Sequence, residues 1–221
     1  MLVDTTSLVK TVDNINAKYL ISEAIPAEEG LEASRWIASQ LGKKGSYRGL
    51  PAPTADDFEQ GVRVFTGERL QSASARHILG QESARLLWLL GRQDASLREA
   101  YRQATHWMQD EPGFQQAGTF CCGKCSLAFW RHYRVGDFSH IEERLNRGMQ
   151  VMKARRLGDG KWRAFPFYYA IYTLLSLELD SARLELAYAR PAMERYLKHA
   201  RGNDYSQRRV TIIQQALAIV Q

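Results

Sequence analysis

The chain has 221 residues, 45% hydrophobic and 24% charged, the balance of a folded globular protein, which excludes collagen, a coiled-coil rod and a disulfide miniprotein. At this length about 70% of the unfolded surface can be buried, so an apolar core closes without a metal or disulfide staple. The net charge of +6 is uneven: residues 1–110 carry 13 basic and 14 acidic side chains, whereas 111–221 carry 17 and 10.

In chain order, apolar residues recur at helical spacing from the start. Leu8, Val12, Ile15 and Tyr19 step by four, three and four, which predicts an N-terminal helix within 1–27. Residues 28–221 then read as an array of helical hairpins, the whole forming one all-α domain. A connection rich in glycine and proline spans 42–53 and holds Gly45 and Tyr47. Asp56 and Asp57 follow at a helix start, where acids complement the macrodipole. An apolar helix over 72–91 carries Leu79, Ser83, Leu86 and Leu90 on one face, together with Trp88. The next face is Leu97, Tyr101, Ala104 and Met108, followed by a turn at Gly113-Phe114 and a helix over 119–134. Ile141, Leu145, Met149 and Met152 form another stripe. A turn at Gly160-Lys161-Trp162 precedes an apolar helix over 165–177, and Gly202 to Tyr205 marks the last turn. Ser72, Ser96, Ser139 and Ser181 are placed to cap helix starts. About ten helices and no strands are expected.

The apolar stretch 165–177 falls short of the ~18 residues of a membrane span and is interrupted by Pro166, Thr173 and Ser176, so it reads as a buried helix. Three cysteines within five positions make no secreted disulfide framework. The amino terminus lacks the basic-then-apolar order of a signal peptide. Both point to a reducing cytoplasm.

The pattern also repeats. Segment 103–137 can be laid over 147–180, so that Met108 meets Met152, Phe120 meets Phe165 and Cys125 meets Ala170. Trp88 likewise precedes Trp130 by 42 positions. That period is one helical hairpin, and stacked hairpins hide faces that a single pair leaves open. The stretch GMQVMKARRLGDGKWRAFPFYYAIYTLLSLEL resembles one repeat of the terpenoid-cyclase and protein-prenyltransferase α/α-toroid superfamily. Gly160, Trp162, Phe165, Tyr168 and Tyr169 match its glycine-aromatic turn and aromatic helix opening, and Gln40, Gly45 and Tyr47 resemble a first copy. The resemblance covers roughly 30–180 and implies stacked antiparallel hairpins in an α/α arc or incomplete toroid. The family's Asp-x-Asp-Asp motif is reduced to Thr54-Ala55-Asp56-Asp57, its zinc-holding Asp-x-Cys pair is missing, and the helices are too few for a closed ring. The resemblance therefore carries shape and no chemistry.

Two clusters remain. Among Cys121, Cys122 and Cys125, spaced four (121 to 125) or three (122 to 125) apart on a helix, either pair could share a face and grip a soft metal such as zinc, but two thiolates do not complete a tetrahedral site. His132 lies about 10 Å along the helix, which leaves His77, His106 or Asp137 to be brought in by the fold. Near a helix start and Lys124, the Cys121 and Cys122 thiolates would be favoured; the bland alternative is three small residues packed between hairpins. The aromatics Trp130, Trp162, Phe165, Tyr168, Tyr169 and Tyr172 form a second cluster. Phe165, Tyr168, Tyr169 and Tyr172 make one helical stripe, either core or the wall of a groove with tyrosine hydroxyls as polar contacts.

No HExxH spacing, triad arrangement or glycine-rich phosphate loop occurs in the sequence. Basic residues occur only as short pairs, such as Arg155-Arg156 and Arg208-Arg209, which read as solvated helix faces and disfavour nucleic acid as a partner. The function expected is binding of an apolar small molecule or peptide on a concave aromatic wall, with no cofactor required. A metal- or thiol-dependent enzyme at the cysteines and a nucleic-acid binder using the basic second half are the alternatives.

Overall fold

The computed structural model describes residues 1–200 and 202–220, and the Ser72 side chain, expected as a cap, lies outside the described residues. The fold is all-α: eleven α-helices and one short 3₁₀ segment, with only three isolated β-bridges and no strand among the described residues. No described helix is long and apolar enough to cross a membrane. The chain forms two compact units, Met1–Asp110 with Val135–Ser139, and Glu111–Arg134 with His140–Gln221.

The first unit is built on α4 (Ser72–Gly91), which packs against α1 (Leu8–Leu20), α2 (Ala27–Ala38) and α5 (Ala95–Thr105). Leu8, Val12 and Ile15 of the expected stripe are buried, as are Leu79, Leu86 and Leu97. Each such side chain is worth about 1.5–3 kcal/mol of burial. The α1 start is secured twice. Ser7 is its N-cap and accepts from the Lys10 amide. Asp57 of α3 (Ala55–Gln60) accepts from Ser7 Oγ at 2.5 Å, Leu8 N at 3.0 Å and Val9 N at 3.2 Å. The same carboxylate closes a capping box with Thr54. Asp57 thus serves two helix starts, and the dipole reading of this acid holds for both. The 3₁₀ segment, His106–Asp110, ends the Leu97 stripe at the buried Met108.

The second unit contains α6 (Pro112–Ala117), α7 (Gly123–Val135, its final residue assigned to the first unit), α8 (Ile141–Lys153), α9 (Phe167–Leu177), α10 (Asp180–His199) and α11 (Asp204–Ile219). α10 packs on α8, α9 and α11, and α6 packs on α8. Phe114, Phe129 and Tyr133 form a buried aromatic knot with ring centroids 4.5–5.9 Å apart. α6 ends at Gly118 with φ 66°, and a Cβ there would lie 2.3 Å from Arg144 O and Gly148 N. Only glycine fits this approach.

Several local expectations need correction. Asp94, and not Ser96, caps α5, accepting from the amides of Ser96 and Leu97. α8 starts after His140, without a side-chain cap from Ser139. Leu179 occupies the α10 cap position, and the Ser181 hydroxyl reaches Asn146 instead. Gly113-Phe114 is no turn: Pro112 at the first helical position starts α6 there, and Phe114 is buried in it.

Candidate functional site

Five of the six aromatics expected in the wall are buried, and Tyr168 is half-buried. Trp130 is 0% exposed and donates from Nε1 to Gly118 O at 2.6 Å, while its ring stacks on Phe165 with centroids 5.7 Å apart. Tyr169 and Tyr172 are buried, and the Arg131 guanidinium lies 3.7 Å from the Tyr172 ring centroid. Trp162 is buried and donates to Glu185 Oε2 at 2.8 Å. Tyr168 is half-buried between Tyr196, 4.9 Å away by centroids, and the Arg209 guanidinium at 4.2 Å. Tyr169 and Tyr172 face their own protein because α9, which carries them, is apolar over most of its circumference, and such a helix packs on several sides.

The cysteines do converge. α7 begins at Gly123, which places Cys122 just before the first turn and Cys125 within it. Cys121 adopts φ 55° and is exposed, as is Cys122, whereas Cys125 is 1% exposed. Cys121 Sγ and Cys125 Sγ lie within 4.8 Å of each other. The turn is closed by Ser126, whose Oγ accepts from Phe120 N at 2.9 Å and whose amide donates to Cys122 O at 2.8 Å. A Cβ on Gly123 would meet Ala164 O at 2.3 Å, so this glycine lets the connection before α9 approach the thiols. A cavity of about 290 Å³ results, lined by Cys121, Cys122, Val151, Arg155 and Phe165 among others.

Burial raises the Cys121 thiol above its ordinary value, with the neighbouring Cys122 adding to it. Burial pushes Cys125 much further up, and Cys122 and Cys121 add to it. For Cys121 the expected activation by the helix start and Lys124 is therefore outweighed by desolvation. His106 Nδ1 lies 2.8 Å from Gln103 O, and Asp137 pairs with Arg102 at 2.7 Å. His132 is buried in α7. Within the second unit Cys121 and Cys125 bring two sulfurs together, short of the four donors of a tetrahedral zinc site.

A second concavity lies between α8 and α10. Asn146, Met149, Gln150 and Lys153 on α8, and Ser181, Leu184, Glu185 and Tyr188 on α10, line a groove of about 530 Å³ together with Arg156. Both sets follow the i, i+3, i+4, i+7 spacing of one helix face. This paired stripe is written in the sequence, although a search for aromatics passes over it. Glu185, 2% exposed, accepts from Arg156 Nε at 3.1 Å, Arg156 Nη2 at 2.8 Å and Trp162 Nε1. A buried carboxylate so bridged is compensated. Tyr188 Oη accepts from Gly158 N at 2.8 Å and donates to Lys161 O at 3.1 Å, holding the 158–161 turn beside the groove. Met149 is buried, while Leu184, 66% exposed, and the exposed Lys153 sit at the rim. Against known protein families, curated proteins and solved structures, the chain matches no family model, no curated protein and no solved structure.

Proposed function

We propose that the protein binds a small organic anion with an apolar body in the α8–α10 groove. The supporting observation is the groove's composition at a volume of about 530 Å³, within the ~300–1,000 Å³ typical of small-molecule sites. Arg156 is committed to Glu185, which makes Lys153 the charge that meets a ligand. Leu184 and Met149 supply apolar contact, and the amides of Asn146 and Gln150 supply orientation. The expected apolar ligand is thereby moved from the aromatic stripe to a neighbouring face and given a negative head group.

The probe is 1-anilinonaphthalene-8-sulfonate, an aromatic sulfonate whose fluorescence rises in apolar surroundings. Saturable binding is expected. Lys153→Glu should weaken it about fivefold or more, the order of one exposed charge interaction, and Leu184→Asp should abolish it. Ile21→Ser, a change to an exposed side chain of the first unit, should leave it unaltered. Undiminished binding to both groove variants, with native circular dichroism, would refute the assignment.

A further inference from the structure

We propose that Cys122 and Cys125 form a reversible dithiol–disulfide pair that exchanges with the disulfide of a small anionic thiol. The residues Cys122-Gly123-Lys124-Cys125 place two thiols three positions apart at the first turn of α7. By helical rise and radius, Cα atoms three positions apart stand about 5 Å from each other, inside the Cα range a disulfide bridges. The two sulfurs also differ in access. Cys122 is exposed and lines the cavity, whereas Cys125 is buried behind it. Access decides which thiol an external disulfide reaches first. At 1% exposure Cys125 is shielded from direct attack until a neighbouring sulfur becomes electrophilic.

The exchange balances in two steps. Cys122, as thiolate, attacks one sulfur of the small disulfide; that S–S bond breaks, one small thiolate leaves and takes up a proton, and a mixed disulfide remains on Cys122. Cys125 then gives up its proton and attacks Cys122 Sγ, expelling the second small thiolate, which is protonated in turn. The protein loses two electrons and two protons, and the small disulfide gains them. Arg155 lines the same cavity and is exposed, so a co-reactant bearing carboxylates, such as glutathione disulfide, matches its charge. Cys121 Sγ also lies within 4.8 Å of Cys125 Sγ, so a Cys121–Cys125 bond is the opposing outcome that the test separates. The glycine at 123 also permits the close wall at Ala164 that encloses the site.

The test incubates the reduced full-length chain with glutathione disulfide, quenches with an alkylating reagent and maps the products by mass spectrometry. Each chain should release two glutathiones and hold one internal bond joining Cys122 to Cys125. Cys121→Ser should behave in the same way. Cys122→Ser should lose the reaction, and Cys125→Ser should stop at one glutathione adduct on Cys122. Arg155→Ala should slow the reaction with glutathione disulfide roughly threefold to tenfold while sparing that with cystamine, a cationic disulfide. The proposal is overturned if Cys121→Ser keeps both remaining thiols titratable, if Cys122→Ser oxidises at the original rate, or if the bond maps to Cys121 and Cys125. Circular dichroism of each variant separates loss of exchange from loss of fold.

Discussion

Asp57 shows how much one side chain can organise. It is 3% exposed and accepts from three groups at the start of α1 and from the Thr54 amide at 2.9 Å. Two helix starts converge on one carboxylate, so removing it leaves several buried donors without an acceptor. Asp57→Ala should cost about 2–4 kcal/mol, the sum of a lost N-cap and unsatisfied amides. Urea unfolding of the variant checks this, and a loss under half a kcal/mol would show that water replaces the carboxylate. Asp57→Asn should fall between, because the amide oxygen still accepts while its nitrogen meets donors. The pair Asp56-Asp57 is legible in the sequence as a helix start. The second helix it caps is not, because Ser7 and Asp57 are fifty positions apart and only packing brings them together.

Among elements, the junction of α6, α7 and α8 depends on two glycines facing each other. A Cβ on Gly148 would lie 2.6 Å from Gly118 O and 2.8 Å from the Trp130 ring. Trp130 cannot yield, since it is fully buried and its Nε1 is spent on that same Gly118 carbonyl. Gly148→Ala should therefore destabilise by about 1–3 kcal/mol through overpacking, despite alanine's better helix propensity. A thermal shift in the stabilising direction would refute it. Elements are also where the sequence was most readable. The stripes of α1, α4, α5 and α8 follow from 3.6-residue periodicity, and buried Leu8, Leu86, Leu97 and Leu145 fall where the period puts them. Caps were less readable, because serine, aspartate and histidine all occur near helix starts, and backbone geometry chooses among them: Asp94 over Ser96, and His140 over Ser139. The aromatic stripe is legible as a stripe, but its burial is not. Spacing reveals a face but not what covers it, and Trp162 proves to anchor Glu185 from below the groove. The cysteine triplet was legible as a cluster. Which thiol is exposed depends on Gly123 and Ala164 approaching across forty residues, which no spacing rule encodes.

At the scale of the molecule, a buried, weakly acidic group whose proton burial retains sits in the core of each compact unit. Tyr101 in the first is 1% exposed and stacks on Trp88 at 4.7 Å, and Cys125 in the second is equally buried. The division itself is invisible in composition, because the second unit's chain is interrupted by Val135–Ser139, which belongs to the first. Burial holds both groups above their ordinary values of 10.0 for the phenol and 9.0 for the thiol. Both are neutral when protonated. The folded chain therefore keeps these protons in an alkaline range where the unfolded chain has released them. Their contribution to stability is whole below about pH 9, and it is lost as pH rises from there toward the folded-state values, at up to about 1.4 kcal/mol per pH unit for each proton. The urea midpoint of the reduced protein should fall from pH 9 upward and steepen above pH 10. Cys125→Ala should flatten the segment between pH 9 and 10 by more than half, with Cys121, also raised, accounting for part of what remains. Tyr101→Phe should flatten only the steeper segment above. A wild-type alkaline limb retained in both variants would mean that surface charge, and not these two cores, governs the loss.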